Sequence, residues 1–251
     1  MEKYLYKDLY ELEESHWWHI SKRKTGIELI RNFLRVKKPK ILDIGCGTGK
    51  NLEILSALGT AWGIDISKEA IIFCKKRGLD RVSLCTAERT NFPSSSFDLV
   101  TLFDVLEHTN DEKSISEIFR ILKSNGLVIL TVPAFSFLWS NWDVVLKHRK
   151  RYTKKSLKTI LERRGFKIKK ISYMYSFLIL PVFIIRLIKS SFYENFYPSD
   201  FKLSSPLINR TLLKLTDFER TLIKNCTIPF GTSLVCVAEK TNPTTQTNCL
   251  K

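Results

Sequence analysis

The sequence predicts an α/β fold, an open and mostly parallel sheet with helices on both faces. Three observations carry this. Short apolar runs alternate with helix-like segments from Lys40 to Pro133. The first run, Lys40-Ile41-Leu42-Asp43-Ile44, enters the glycine-rich turn Gly45-Cys46-Gly47-Thr48-Gly49. The second closes on an acid, Gly63-Ile64-Asp65.

Each element follows from local chemistry. Residues 1–36 read as a helical lid, with Ile27, Ile30, Phe33 and Leu34 on one side of the stretch Ser21 to Leu34. The core runs over residues 37–173. After its first strand, Gly45, Gly47 and Gly49 allow a tight turn and a close backbone approach to a ligand. A helix from Thr48 to Leu58 points its N-terminal N–H groups into that turn. Dinucleotide sites space their glycines Gly-x-Gly-x-x-Gly; here the third glycine falls one residue earlier and Lys50 follows. Asp65, 22 residues after Asp43, ends the second strand, where a carboxylate can accept from both ribose hydroxyls. The competing reading is that the glycines only cap a strand and Asp65 only caps a helix.

Arg81 to Leu84 forms a third strand, followed by Thr86-Ala87-Glu88 and the turn Asn91-Phe92-Pro93. Phe97 to Phe103 is a buried fourth strand leading into Asp104-Val105-Leu106-Glu107-His108. Helix Asp111 to Lys123 is followed by the turn Ser124-Asn125-Gly126 and a fifth strand, Leu127 to Val132. Helix Lys154 to Arg164 ends at Gly165, a suitable C-cap, before strand Phe166 to Tyr173. Residues 174–230 form an insertion, 231–240 carry the final strand Ser233 to Glu239, and 241–251 read as a polar, disordered tail.

With these residues in place, the chain resembles the class I S-adenosylmethionine-dependent methyltransferases, in the group that includes quinone-biosynthesis methyltransferases. It is similar to a bacterial and archaeal subfamily with His-Trp-Trp near the N-terminus and His-Arg-x-Arg-Tyr after the fifth strand. Those segments here are His16-Trp17-Trp18 and His148-Arg149-Lys150-Arg151-Tyr152. The resemblance covers residues 38–172 at its core and is specific for the cofactor, not for the acceptor. It implies a Rossmann-like, seven-stranded sheet whose last strand is antiparallel. It also implies S-adenosylmethionine as cofactor, held by Asp43, Gly45, Cys46, Gly47, Gly49, Asp65, Ile66, Ala87, Glu88 and Asp104. The cofactor's carboxylate suits the helix N-terminus. One position departs from the family: an acid usually precedes the Ala-Glu pair to accept from the adenine amino group, and here it is Thr86, an acceptor without charge.

The chemistry expected is in-line displacement at an already activated methyl, so the protein supplies alignment and, where needed, a base. His108 and His148 are the candidates for proton removal, because imidazole titrates near neutral pH; the alternative is that each orders a loop. His16, Trp17 and Trp18 are candidates for a lid that excludes water and meets the substrate, against simple packing of both tryptophans on the core. Arg149, Arg151 and Tyr152 fall outside the carboxyl end of the fifth strand, where ligands of open α/β sheets bind. Arg suits a planar anion.

Composition narrows the partners. The 251 residues carry a net charge of +16. Between Lys147 and Lys170 there are twelve Lys or Arg against one acid, Glu162. Such density suits phosphates, anionic lipid headgroups or nucleic acid; for most of these residues a solvated face is the simpler account. The run Phe177 to Ile185, interrupted by Pro181 and followed by Arg186, falls short of the roughly 20 residues that span a bilayer. It fits core or dimer packing, or an interfacial segment beside Lys189, Phe192, Tyr193, Phe196 and Tyr197. Oligomeric state is left open. The six cysteines make no Cys-x-x-Cys pair and do not cluster with the four histidines, so no metal site is expected. No leader-like segment opens the chain, and a reduced, cytoplasmic setting is expected, with contact at the inner membrane face as an addition. The sequons at Asn209 and Asn225 then carry no glycan.

Three functions compete. The favoured one is methyl transfer to a small-molecule or lipid-linked acceptor. Methylation of RNA or DNA fits the charge, but the chain has Asp104-Val105-Leu106-Glu107 where base-amino methyltransferases carry an Asn- or Asp-Pro-Pro-aromatic motif, and no appended RNA-binding module is recognisable. The third is a non-catalytic module that binds the nucleoside.

Overall fold

The computed structural model describes residues 4–184 and 205–241. The tail from residue 242 onward and the middle of the predicted insertion, 185–204, lie outside the described residues, and with them Arg186, Lys189 and the aromatics from Phe192 to Tyr197.

Seven strands form one sheet: β1 Lys40–Ile44, β2 Thr60–Asp65, β3 Val82–Leu84, β4 Phe97–Phe103, β5 Leu122–Pro133, β6 Phe166–Met174 and β7 Ser233–Lys240. Their order across the sheet is β3-β2-β1-β4-β5-β7-β6. β1 to β5 run parallel, and β7 lies antiparallel to both β5 and β6, as the resemblance implies. The central strands are apolar almost throughout because both faces are covered; Ile41, Leu42, Leu99, Val100 and Ile129 have no exposed surface.

Helices α1 Tyr4–Leu12, α2 Trp17–Phe33, α3 Lys50–Ser56, α4 Lys68–Lys76, α5 Asp111–Ile121, α6 Asn141–Val145, α7 Lys154–Arg164 and α8 Pro206–Asn225 surround it. α7 has the predicted bounds, and Gly165 at φ 101° closes it in the left-handed region. Two expectations are corrected. The helix after the glycine turn starts at Lys50, because Gly49 at φ 95° is left-handed and serves as its N-cap. The stretch Ser124-Asn125-Gly126 is part of β5, not a turn before it. Pairing already begins at Phe97 with Leu122 and resumes at Leu99 with Leu127, so the residues between bulge outward, with Asn125 at φ 62°. The turn signal was legible; its absorption into the strand depended on β4 as a partner.

The register aligns the strand ends that matter. Ile44 pairs with Ile64 on one side and Leu102 on the other. Gly45, Ile66 and Asp104 therefore emerge side by side at the carboxyl edge, where the strand order reverses between β1 and β4. α2 closes over that edge, with Gly26 against the Phe103 ring so closely that a Cβ there would overlap it. α8 holds α2 in place: Trp17 N–H donates to Asn209 Oδ1 at 2.8 Å, and Asn209 Nδ2 to Ser15 O at 3.0 Å. The Glu219 carboxylate accepts from the backbone N–H groups of Tyr175 and Ser176 at 2.5 and 2.7 Å, anchoring α8 to the end of β6.

Candidate active site

A cavity of about 980 Å³ opens at this edge, between the glycine turn, α1 and α2, and the segment after β5. At its floor Gly45 has φ 69°, and a Cβ there would run into Val105. Gly45, Cys46, Gly47, Asp65, Ile66, Ala87, Glu88 and Asp104 all line it. So do Ile44, Thr48, Cys85 and Thr86. Asp65 is nearly buried; its Oδ2 accepts from Gly47 N–H at 3.0 Å and its Oδ1 from Ser67 N–H at 2.9 Å. Burial pushes its carboxyl up, against those backbone donors. Ile66 is largely exposed along one wall, and Glu88 accepts from Asn110 N–H at 2.9 Å.

Two members of the predicted cofactor set stand behind the cavity wall. Asp43 is buried in β1, accepts from Thr101 Oγ1 at 2.7 Å, and burial raises its carboxyl to about 7. Gly49 at φ 95° caps α3 and abuts Cys74 and Leu79. Cys46 and Cys74 are free thiols, their sulfurs 3.8 Å apart.

The N-terminal segment is a roof latched to the turn. Glu13 accepts from Thr48 Oγ1 at 2.5 Å and from Arg77 Nη2 at 2.8 Å, while Arg77 Nε donates to Thr48 O at 3.0 Å. His16 caps α2 and accepts weakly from Trp18 N–H at 3.4 Å. Trp18 stacks on Tyr175, with centroids 4.5 Å apart, and Trp17 meets the same ring edge-on at 5.8 Å. His16, Trp17 and Trp18 all line the cavity, and Trp17 belongs to the core as well. Trp17 and Trp18 thus pack on the core and also stand on the cavity wall.

Lys22, which the sequence did not single out, reaches from α2 to the Asp104 carboxylate at the tip of β4, its Nζ 4.4 Å from the Trp18 ring centre. Thr131 Oγ1 also donates to Asp104, at 2.8 Å. Burial pushes the Lys22 ammonium down. Asp104 sits at φ 56°, a strained conformation for a residue with a side chain, of the kind that recurs at functional sites.

At the opposite end from the glycine turn, Glu107, His108 and His148 converge, each offering a ligand atom within 4.8 Å of the others. The His108 and His148 rings meet edge-on with centroids 4.8 Å apart. Glu107 is buried, and neither carboxylate oxygen has a hydrogen-bond partner among the described residues. Burial pushes its carboxyl up and lowers the His108 imidazole to about 4, so His108 is neutral at pH 7. Asp143 organises the other side: Oδ1 lies 2.8 Å from His148 Nδ1, and Arg151 grips both oxygens through Nε at 2.7 Å and Nη2 at 2.9 Å. Burial works to raise Asp143, and the bonds from His148 and Arg151 overturn it, holding the carboxyl well below the usual carboxylate range.

Of the basic segment, Arg149 and Arg151 line the cavity and Tyr152 does not. Arg149 is exposed, its backbone N–H donating to Glu107 O at 2.8 Å. Arg151 is committed to Asp143 and to Ala134 O, at 3.1 Å. Tyr152 is buried and donates to Asp111 Oδ2 at 3.2 Å, pinning the segment beneath the first turn of α5. Strand-like alternation after β5 turns Arg151 toward the cavity and Tyr152 away from it.

The residues fit S-adenosylmethionine. A side-chain-free turn at Gly45 and Gly47 leaves room for a ligand at the backbone, and a carboxylate at the next strand tip suits a ribose. The wall continues past Ile66 and Ala87 for a base.

Comparison with known proteins agrees. Residues 42–130 match the model of a family described as a methyltransferase domain. The chain is 33% identical over 133 residues to the uncharacterized protein MJ1252 of Methanocaldococcus jannaschii, covering 52% of this chain and 50% of that one. It is 32% identical over 181 residues to MJ0638 of the same organism, covering 72% and 69%. To the ubiquinone/menaquinone biosynthesis C-methyltransferase UbiE of Cupriavidus metallidurans it is 34% identical over 110 residues, covering 40% of this chain and 44% of that protein. The matches to MJ1252 and UbiE thus span half or less of those relatives. Among solved structures, a SAM-dependent methyltransferase from Archaeoglobus fulgidus shares the fold, with TM-score 0.57, 21% identity, and coverage of 87% of this chain and 94% of that one. The chain belongs to the class I S-adenosylmethionine-dependent methyltransferases, and S-adenosylmethionine is its cofactor.

Proposed function

We propose that the chain methylates a lipid-linked or otherwise amphiphilic small-molecule acceptor at this cavity. One observation carries the acceptor class: the cavity's outer wall continues into an exposed apolar surface. Leu138, Leu146, Leu178 and Val182 line the cavity, while their sequence neighbours Phe137, Val144, Leu180 and Phe183 face outward, exposed by 58, 62, 64 and 37%. Phe137 and Phe183 meet at 5.8 Å across the two segments. Lys147 and Arg149 stand beside this surface and are exposed. An apolar patch rimmed by cations suits an interface with anionic lipid. No helix among the described residues is long and apolar enough to cross a membrane, so contact would be peripheral.

When bound, the cofactor supplies a methyl group activated by positively charged sulfur. Gly45, Gly47, Asp65, Ile66, Ala87 and Glu88 would hold it, with Asp43 stiffening β1 from behind. The roof of α1 and α2 excludes water. Proton removal from the acceptor falls to the His108 and His148 end. There Asp143 fixes the His148 tautomer with Nδ1 engaged, leaving Nε2 as the nitrogen available to an acceptor, an arrangement that also stabilises a transient imidazolium.

Co-sedimentation tests the acceptor class. The protein is expected to pellet with vesicles containing anionic phospholipid and to lose that property on Phe137→Ser with Phe183→Ser. Release of S-adenosylhomocysteine should rise when an extract of membrane lipids is supplied. No pelleting with either anionic or neutral vesicles would end the lipid-linked reading.

A further inference from the structure

The convergence of Glu107, His108 and His148 has a chemistry of its own. Two imidazoles and one carboxylate, with ligand atoms within 4.8 Å of one another, are drawn from two segments that the fold joins. Leu106–His108 forms a short helical turn after β4, and the backbone bond from Arg149 N–H to Glu107 O, 2.8 Å long, clamps the His148 segment against it. Glu107 is 1% exposed and faces the cavity with both oxygens lacking a hydrogen-bond partner among the described residues. A buried carboxylate left that way is costly unless something pairs with it.

The charges of Lys22 and Arg151 both bear on Glu107, but their hydrogen bonds go elsewhere. Lys22 bonds Asp104, and the Arg151 guanidinium is spread over Asp143 and Ala134 O. His148 also has the outer partner that metal-bound histidines use: Asp143 Oδ1 lies 2.8 Å from its Nδ1. Such a partner leaves the other ring nitrogen for a ligand and fixes its direction.

We propose that Glu107, His108 and His148 bind a divalent transition-metal ion, with positions left over for an acceptor oxygen. Two imidazoles favour such an ion over magnesium, which prefers oxygen ligands, and a two-histidine, one-carboxylate set leaves coordination sites open. With the ion bound, both imidazoles are ligands rather than bases, and an acceptor hydroxyl coordinated there would release its proton to solvent more readily. That last role rests on the methyltransferase reading; the ion site does not.

The test uses the full chain, free of any affinity tag and stripped with a chelator. Cobalt(II) is titrated in while its visible absorption is followed, then displaced with zinc, with magnesium run in parallel. One equivalent of cobalt is expected to saturate the spectrum and to be released by zinc. Glu107→Gln and His148→Gln, each checked for folding by circular dichroism, should weaken binding by more than the 10- to 100-fold typical of an outer-partner loss. Asp65→Ala should bind cobalt like the wild type. An absent cobalt spectrum, a spectrum unchanged in both variants, or binding of magnesium alone would overturn the proposal. Cobalt binding without any methyl transfer would refute the acceptor reading and leave the ion site standing; full methyl transfer in excess chelator with no cobalt binding would do the opposite.

Discussion

His148 Nδ1 lies 2.8 Å from Oδ1 of Asp143, a carboxylate with no exposed surface whose other oxygen is taken by Arg151. The pair sets which ring nitrogen of His148 faces the cavity. His148→Gln should therefore lower kcat by about 10²- to 10⁴-fold, the usual range for a positioned acid or base. Cofactor affinity should hardly change. Asp143→Asn should lower kcat by less, since the imidazole keeps its place but loses its charged partner. Calorimetry together with turnover assays checks both, and an equal loss of cofactor affinity in His148→Gln would contradict the placement.

Asp65 makes the converse case. It sits at the tip of β2, bonded to the glycine turn through Gly47 N–H at 3.0 Å. Loss of a charged hydrogen-bonding group costs about 1.5–3 kcal/mol, so Asp65→Ala should raise the Kd for S-adenosylmethionine by about 10- to 100-fold. Titration calorimetry reads this directly, and a Kd unchanged from the wild type would count against the ribose-binding role.

Glu13 ties the N-terminal roof to the core through Thr48 and Arg77. Glu13→Ala removes two bonds to a buried carboxylate and should cost about 1.5–3 kcal/mol of stability. Thermal unfolding measures the loss. Glu14, an exposed neighbour that also bonds Arg77, at 2.7 Å, should matter far less when replaced by Ala.

Asp43 predicts a pH dependence. Its folded value is about 7, raised chiefly by burial and also by Asp65, against about 3.9 unfolded. A carboxyl raised on folding contributes fully below its unfolded value, and that contribution fades as pH rises through the folded one. Asp43→Asn keeps an acceptor for Thr101 and takes up no proton. The wild type should lose stability relative to Asp43→Asn between pH 5 and pH 8, read as denaturant midpoints at each pH. Parallel curves would show that Asp43 is already ionised in the folded state.

Much of this was readable along the chain because the signals are local. The bounds of β4 and α7, the left-handed Gly165, the glycine turn and Asp65 follow from apolar runs, capping and glycine spacing within a few residues. That most of the predicted cofactor set shares one cavity was legible for that reason, as nearly all of it lies on strand tips that a parallel sheet must align. The other end was not. Glu107 and His148 are neighbours only because the segment after β5 folds back on the turn after β4, and Lys22 meets Asp104 only because α2 lies across the sheet edge. The sequence search for clustered cysteines and histidines missed the Glu107, His108 and His148 group, since chain spacing carries no trace of a contact made by packing. The same limit hid Asp143 and left Tyr152 among the expected ligand contacts, although strand alternation turns it inward to Asp111. Backbone propensity and turn chemistry act over a few residues; buried charges find their partners only after long-range packing has set which surfaces meet.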